Sequence, residues 1–242
     1  MRVRYSPTYY FHTFGETKKA ICMKMKWWKT LGIILVLYSI IAGLLFPVPK
    51  LDILNETVRN LYFHVTMWFS MIFLMLLSMT NSIRFLSGFE KRFDLKAETY
   101  ASTGLFIATL GLTTGMVWAQ FTWGAFWVND PKLNGAAVTM LIYLAYFILR
   151  NSIDNEESKA RVSAVYNILA FVMMIVFIGI LPRMTDSLHP GNGGNPGFSN
   201  YDLDSNMRMV FYPAVIGWIL IGTWIAEISY RIKVLDFNKE NN

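Results

Sequence analysis

Residues 61–83 read LYFHVTMWFSMIFLMLLSMTNSI. Between Arg59 and Arg84 the only side chain that readily carries charge near neutral pH is His64. About 20 mostly apolar residues cross the hydrocarbon of a bilayer as a helix. The run lacks the apolar-polar alternation of a barrel strand. A backbone in hydrocarbon must satisfy its own hydrogen bonds, so the stretch predicts a transmembrane α-helix. Five further runs read the same way: 30–46, 100–119, 136–149, 162–181 and 210–228. The fourth is short and can borrow residues 133–135. Pro47 and Pro49 end the first, Arg84 the second, and Pro182-Arg183 the fifth.

Composition agrees. Of 242 residues, 54% are hydrophobic and only 16% charged, against about 25% charged in ordinary soluble domains. Disorder is excluded, because it needs low hydrophobicity and high charge. One cysteine, Cys22, excludes a disulfide framework and any CxxC motif. The net charge of +6 suggests a nucleic-acid partner only until the basic residues are placed. Seventeen of the 22 Lys and Arg fall in the N-terminal segment, the second and fourth connections and the C-terminal tail. The other five are Lys50, Arg59, Lys132, Arg183 and Arg208. That bias is a topology signal that puts both termini in the cytoplasm, with no role for nucleic acid.

The expected fold is therefore an all-α polytopic membrane protein of six transmembrane helices, N-in and C-in. An external tryptophan-rich amphipathic segment lies between helices 3 and 4. Residues 28–232 form one membrane domain, 1–27 a cytoplasmic N-terminal segment and 233–242 a cytoplasmic tail. Residues 1–22 are polar, with no signal-peptide core. Met23 or Met25 reads as a natural start, so His12 and Cys22 receive no role. The spans show few polar residues inside the bundle and no polar path through it. Glu227 is the clearest polar residue, and it is expected to cap or pair with Arg231.

Three external segments remain: 47–60, 118–134 and 183–206. The second reads WAQFTWGAFWVNDPKLN. Trp118, Phe121, Trp123, Phe126 and Trp127 make five aromatics in its first ten residues, none of which is charged. Trp123, Phe126 and Trp127 are spaced to share one face of a helix. The density fits either an interfacial belt or a platform for a flat apolar ligand. His64 enters the second span from its outer end, and an ionisable residue inside a span is a functional hypothesis by default. His189 lies in the third external segment, in a Gly- and Pro-rich loop that is flexible by composition. Two imidazoles flanking aromatic rings on one side of a membrane are the parts of a bis-histidine haem site. Arg59 and Lys132 are the best placed cations for propionates, with Arg183 and Arg208 behind them. Asp130 reads as a cap, as an orienter of Lys132, or as a turn residue before Pro131.

The stretch Trp123-Gly124-Ala125-Phe126-Trp127-Val128-Asn129-Asp130 resembles the signature W-G-x-W-W-x-W-D of the haem-handling proteins of cytochrome c biogenesis. With Arg59 to His64 entering the second span and Leu188-His189 in the last external segment, residues 28–233 resemble the CcmC family of haem exporter C components. Phe126 replaces one family tryptophan and keeps the ring, whereas Asn129 replaces another and loses it. Asp130-Pro131-Lys132 is closer to the CcsA branch, but the following Glu is missing, and CcsA proteins are usually longer with a further histidine pair.

The resemblance implies a non-enzymatic haem carrier in a bacterial inner membrane. It implies haem b bound transiently at the external face by His64 and His189. Trp118, Trp123, Phe126, Trp127, Asp130, Arg59 and Lys132 line the site. The implied partners are a membrane-anchored haem chaperone and an ABC-type ATPase with its permease subunit. No ATP-binding motif is visible. The alternatives are a CcsA-type synthase component, a membrane b-type electron-transfer cytochrome, which usually needs four histidines on helices, and a plain permease subunit.

Overall fold

A computed structural model of the chain describes residues 26–51, 54–189, 198 and 203–240. The expected start-site segment and the loop after His189 lie outside these. The described residues form helices and no strand, and six of the helices are long and apolar enough to cross a membrane. They are α1 (Trp27–Leu45), α2 (Leu61–Gly88), α3 (Lys91–Trp123), α4 (Pro131–Asn151), α5 (Glu156–Met174) and α6 (Ser205–Glu240). A 3-10 turn, Asn55–Asn60, leads straight into α2. A π-helical turn, Ile175–Ile180, and a last α-turn, Leu181–Met184, prolong α5.

The helices overshoot the apolar runs. Hydropathy marks the part of a helix that can sit in hydrocarbon, not where the backbone stops being helical. α3 begins at Lys91, well before the apolar run, and its first turns are held by ion pairs. Asp94 and Arg150 are 3% and 4% exposed and meet bidentately at 2.7 and 2.9 Å. Lys91 bridges Asp94 at 3.0 Å and Glu156 of α5 at 2.8 Å. Glu98 accepts from Arg150 at 3.3 Å and also from Lys233 of α6. The cluster lines a cavity of about 340 Å³ and ties four helix ends together. In the sequence these cations read as topology markers alone; Lys91 and Asp94 are spaced i, i+3, but the other acidic partners lie too far away in the chain to be paired by pattern.

α2 is the central helix, packed along α3 and against α6 and α5. α1 lies on α6, and α4 on α5. Met67, Met71, Leu74 and Met75 of α2 form the core with Ala101, Ile107 and Ala108 of α3, Tyr143 and Tyr146 of α4, and Ala170 and Met174 of α5. In lipid the apolar effect does not drive helices together, so close packing and interhelical hydrogen bonds must.

The interior is more polar than the spans suggested. Ser70, Ser78, Asn81, Ser82, Thr99, Thr103, Thr139, Ser163 and Asn167 are all buried. Many hydroxyls bond carbonyls of their own helix, as Thr99 does with Leu95 at 2.6 Å and Thr103 with Thr99 at 3.0 Å. Such groups read as polar in sequence yet satisfy themselves locally. Asn167 joins α5 to α2 by donating to Ser78 at 2.7 Å and Ser82 at 2.8 Å. Glu227 pairs with Arg231, as expected, and also with Lys29 of α1 at 2.8 Å. The Tyr143 hydroxyl is fully buried with no hydrogen-bond partner among the described residues. An unsatisfied buried hydroxyl costs about 1–3 kcal/mol. Tyr143→Phe is therefore expected to leave the unfolding midpoint in detergent unchanged or to raise it. A drop of several degrees would show that the hydroxyl has a partner.

Candidate functional site

The candidate residues gather at the end of the bundle where α3 gives way to α4. His64 stands one turn into α2, and its Nδ1 lies 2.8 Å from the Gly111 carbonyl oxygen of α3. A carbonyl only accepts, so Nδ1 carries the hydrogen and Nε2 keeps its lone pair. The imidazole is held edge-on by Trp68, at 6.2 Å between centroids, and by Trp118, at 5.9 Å. The Trp118 indole N–H donates to the Thr57 hydroxyl at 3.1 Å. That bond ties α3 to the 3-10 turn carrying Arg59.

Arg59 has structural duties. Its Nη1 donates to the carbonyls of Gly43 at 2.8 Å and Phe46 at 2.6 Å, which closes the end of α1. Its Nε pairs with Glu56 at 2.7 Å. Beside it lies a largely apolar cavity of about 290 Å³, bordered by Asn60, Phe63, Val117, Trp118 and Phe121.

The shared-face helix expected for Trp123, Phe126 and Trp127 does not form. Gly124 takes the left-handed conformation, φ +80°, with its N–H on the Gln120 carbonyl at 3.1 Å, and α3 ends at Trp123. Glycine reaches this region without steric penalty and is the usual helix terminator. Phe126 and Trp127 follow in irregular chain, 54% and 41% exposed. Asn129 accepts a hydrogen bond from Asn134 at 2.8 Å.

Asp130 is the hub of the second half of the site and is 1% exposed. Its Oδ1 accepts from the Lys132 backbone N–H at 2.9 Å, which caps α4, with Pro131 in the first turn. The same oxygen is 2.8 Å from Nδ1 of His189. Its Oδ2 accepts from the Ser187 hydroxyl at 2.8 Å and the Leu188 N–H at 2.7 Å. Burial alone would raise the Asp130 pKa. The hydrogen bonds from His189, Ser187 and Leu188 outweigh it and hold the carboxyl well below the usual carboxylate range. His189 packs edge-on against Trp123, 4.8 Å between centroids. Lys132 stands in the first turn of α4, within electrostatic reach of Asp130 and Arg183.

Both imidazoles thus anchor Nδ1 on the protein. They lean on Trp118 and Trp123, five residues apart on α3 and so about 7.5 Å apart along its axis. Sequence reasoning missed three parts of this arrangement: Trp68, Ser187 and the bond from Asp130 to His189. Trp68 was signalled by its place one turn beyond His64, and Asp130 by the Asp-Pro start of a helix. Ser187 had no signal.

Among the described residues, the fold is a bundle with six helices of membrane-spanning proportions, and His64 and His189 pack against tryptophans toward one end of it. The family model for Heme exporter protein C matches residues 10–242, and the chain belongs to that family. It is 26% identical over 137 residues to the Heme exporter protein C of Paracoccus denitrificans, covering 57% of each protein. It is 24% identical over 168 residues to that of Rhodobacter capsulatus, covering 69% of each. A Cytochrome c biogenesis protein CcsA of Prochlorococcus marinus is 33% identical over 94 residues, 38% of this chain and 29% of that protein. The matches thus span a little over half to about two thirds of the two exporter relatives, and less than a third of this CcsA protein.

Proposed function

We propose that this protein handles haem for cytochrome c biogenesis, holding haem b transiently at one membrane face and passing it to a membrane-anchored haem chaperone. Haem is cargo, and the chain's part is non-enzymatic: it binds, orients and releases. The observation that carries the reading is two imidazoles at the aromatic end of α3, each with Nδ1 bonded to the protein, so that a neutral ring keeps its lone pair on Nε2. That is the donor set of a bis-histidine iron site. His64 and His189 are the axial ligands. Trp118, Trp123, Phe126 and Trp127 supply ring contacts. Arg59 and Lys132 supply positive charge for the propionates, and Asp130 holds His189 in its tautomer. This end faces outward from the cytoplasmic membrane of a bacterium, a reading the Lys and Arg bias supports as far as orientation goes. The energy for export comes from an ABC-type ATPase and its permease subunit acting as partners. The names of the relatives favour this role over a membrane b-type cytochrome.

The test is the absorption spectrum of the detergent-purified protein beside His64→Ala and His189→Ala. A Soret band in the wild type that weakens or shifts in both variants is expected. No haem in any of the three, even after haem supplementation during expression, would overturn the reading and return the aromatic segment to a membrane belt.

A further inference from the structure

We infer that Gly115 is a positioning residue for His64: the missing side chain leaves the notch in α3 that seats the imidazole. This deepens the haem-handling reading and, for its haem-binding arm, rests on it. A Cβ at position 115 would lie 2.4 Å from Cε1 of His64, 2.8 Å from Nδ1 and 3.3 Å from Nε2. Contacts under 3.0 Å are essentially never made by real Cβ atoms. A Cβ there would push the ring out of its present seat. Trp68 and Trp118 border it, and its Nδ1 is fixed to the carbonyl of Gly111, one turn earlier on α3.

The other glycines of α3 differ. A Cβ at Gly104 would meet the end of the Met75 side chain at 2.9 Å, and a flexible thioether can swing aside. A Cβ at Gly111 would meet Met67 and Trp68 at 3.3 Å, which is tight but tolerable. Only at 115 is the obstacle the imidazole itself. Glycine inside a helix is disfavoured by about 1 kcal/mol relative to alanine. At 115 the gain is room for a histidine whose tautomer a neighbouring carbonyl dictates. The sequence reading passed over Gly115 because a glycine in an apolar run carries no chemical signal.

The experiment uses the full chain in detergent as wild type, Gly115→Ala, His64→Ala and the double variant, with Gly104→Ala as a control. The first readout needs no haem: the ¹⁵N spectrum of labelled histidine, with His64 identified by its loss in His64→Ala. The wild type is expected to show His64 with hydrogen on Nδ1, and Gly115→Ala to lose that preference. An unchanged His64 signal in Gly115→Ala would overturn the proposal whether or not the protein binds haem. The second readout is ferric haem titration. Gly115→Ala should reproduce the affinity loss and spectrum of His64→Ala, and the double variant should match His64→Ala within about twofold. Losses that multiply in the double variant would overturn the proposal. A wild-type spectrum in His64→Ala would instead count against the axial role of His64 and leave the tautomer result standing. Gly115→Ala is also expected to melt lower than the double variant, since removing the ring vacates the space. Gly104→Ala should keep the wild-type tautomer and spectrum.

Discussion

Asp130→Asn is expected to weaken haem binding by about 10- to 100-fold, the usual effect of removing the group that orients a metal-binding histidine. Asp130 accepts four hydrogen bonds, from the Lys132 N–H, the Leu188 N–H, the Ser187 hydroxyl and His189 Nδ1. Asparagine has one acceptor oxygen and offers two donors in place of the other. At least one of these bonds fails, and the charge that made them strong is gone. The cap on α4 is the bond asparagine replaces best, because Asn and Asp are similar caps. The loss therefore falls on the segment from Ser187 to His189. Titration with ferric haem checks this: the variant spectrum should approach that of His189→Ala, and wild-type affinity in Asp130→Asn would refute it. Asp130→Ala should show the same haem defect together with a lower melting temperature, because the cap itself contributes about 1 kcal/mol.

The same carboxyl sets a pH expectation. Its folded pKa is depressed, so its contribution is fully present above the unfolded value, about 3.9. It is lost only as pH falls through the lower folded value. Amide exchange at Leu188 in the ligand-free protein, corrected for intrinsic rates, should stay protected from pH 6 down to about pH 3, below the range in which an ordinary aspartate protonates. Loss of protection centred at about pH 4 would show that the depression is absent.

Arg150→Met is expected to cost about 3–5 kcal/mol of stability, the range for removing one partner of a buried ion pair. Asp94 is 3% exposed and meets Arg150 bidentately. Without the guanidinium, the carboxylate remains buried, with Lys91 at 3.0 Å as its remaining partner among the described residues of the cluster. Lys91 therefore places the loss toward the lower end of the range. Asp94→Leu with Arg150→Met removes both charges and should recover most of it, since buried pairs replaced by apolar residues are often neutral. Denaturant unfolding in detergent gives the comparison. A double variant as unstable as Arg150→Met would show that lost packing, not the orphaned charge, is responsible.

The relation between sequence and structure differs from one end of the bundle to the other. At the site end, His64 and His189 could be picked out as lone histidines near aromatic residues. The role of Asp130 was left among several readings, because its caps and contacts depend on residues up to 59 positions away. Gly124 interrupts the stretch, yet the helical spacing of Trp123, Phe126 and Trp127 runs straight across it. One left-handed residue overrode the periodicity. At the opposite end, Asp94 and Arg150 gave no local sign of pairing, being 56 positions apart.

Sequence alone determined the number of spans, their helical nature and their approximate extents. Apolar length is a one-dimensional property, and a single segment in hydrocarbon satisfies its own backbone hydrogen bonds only as a helix. The family could also be read from short motifs in a fixed order. Tertiary structure decided which nitrogen each histidine presents, where the aromatic segment stops being helical and which charges are buried together. Those outcomes depend on hydrogen bonds and close approaches between helices. The His64 ring and the Gly111 carbonyl, 47 residues apart, acquire their relation only when α2 and α3 pack.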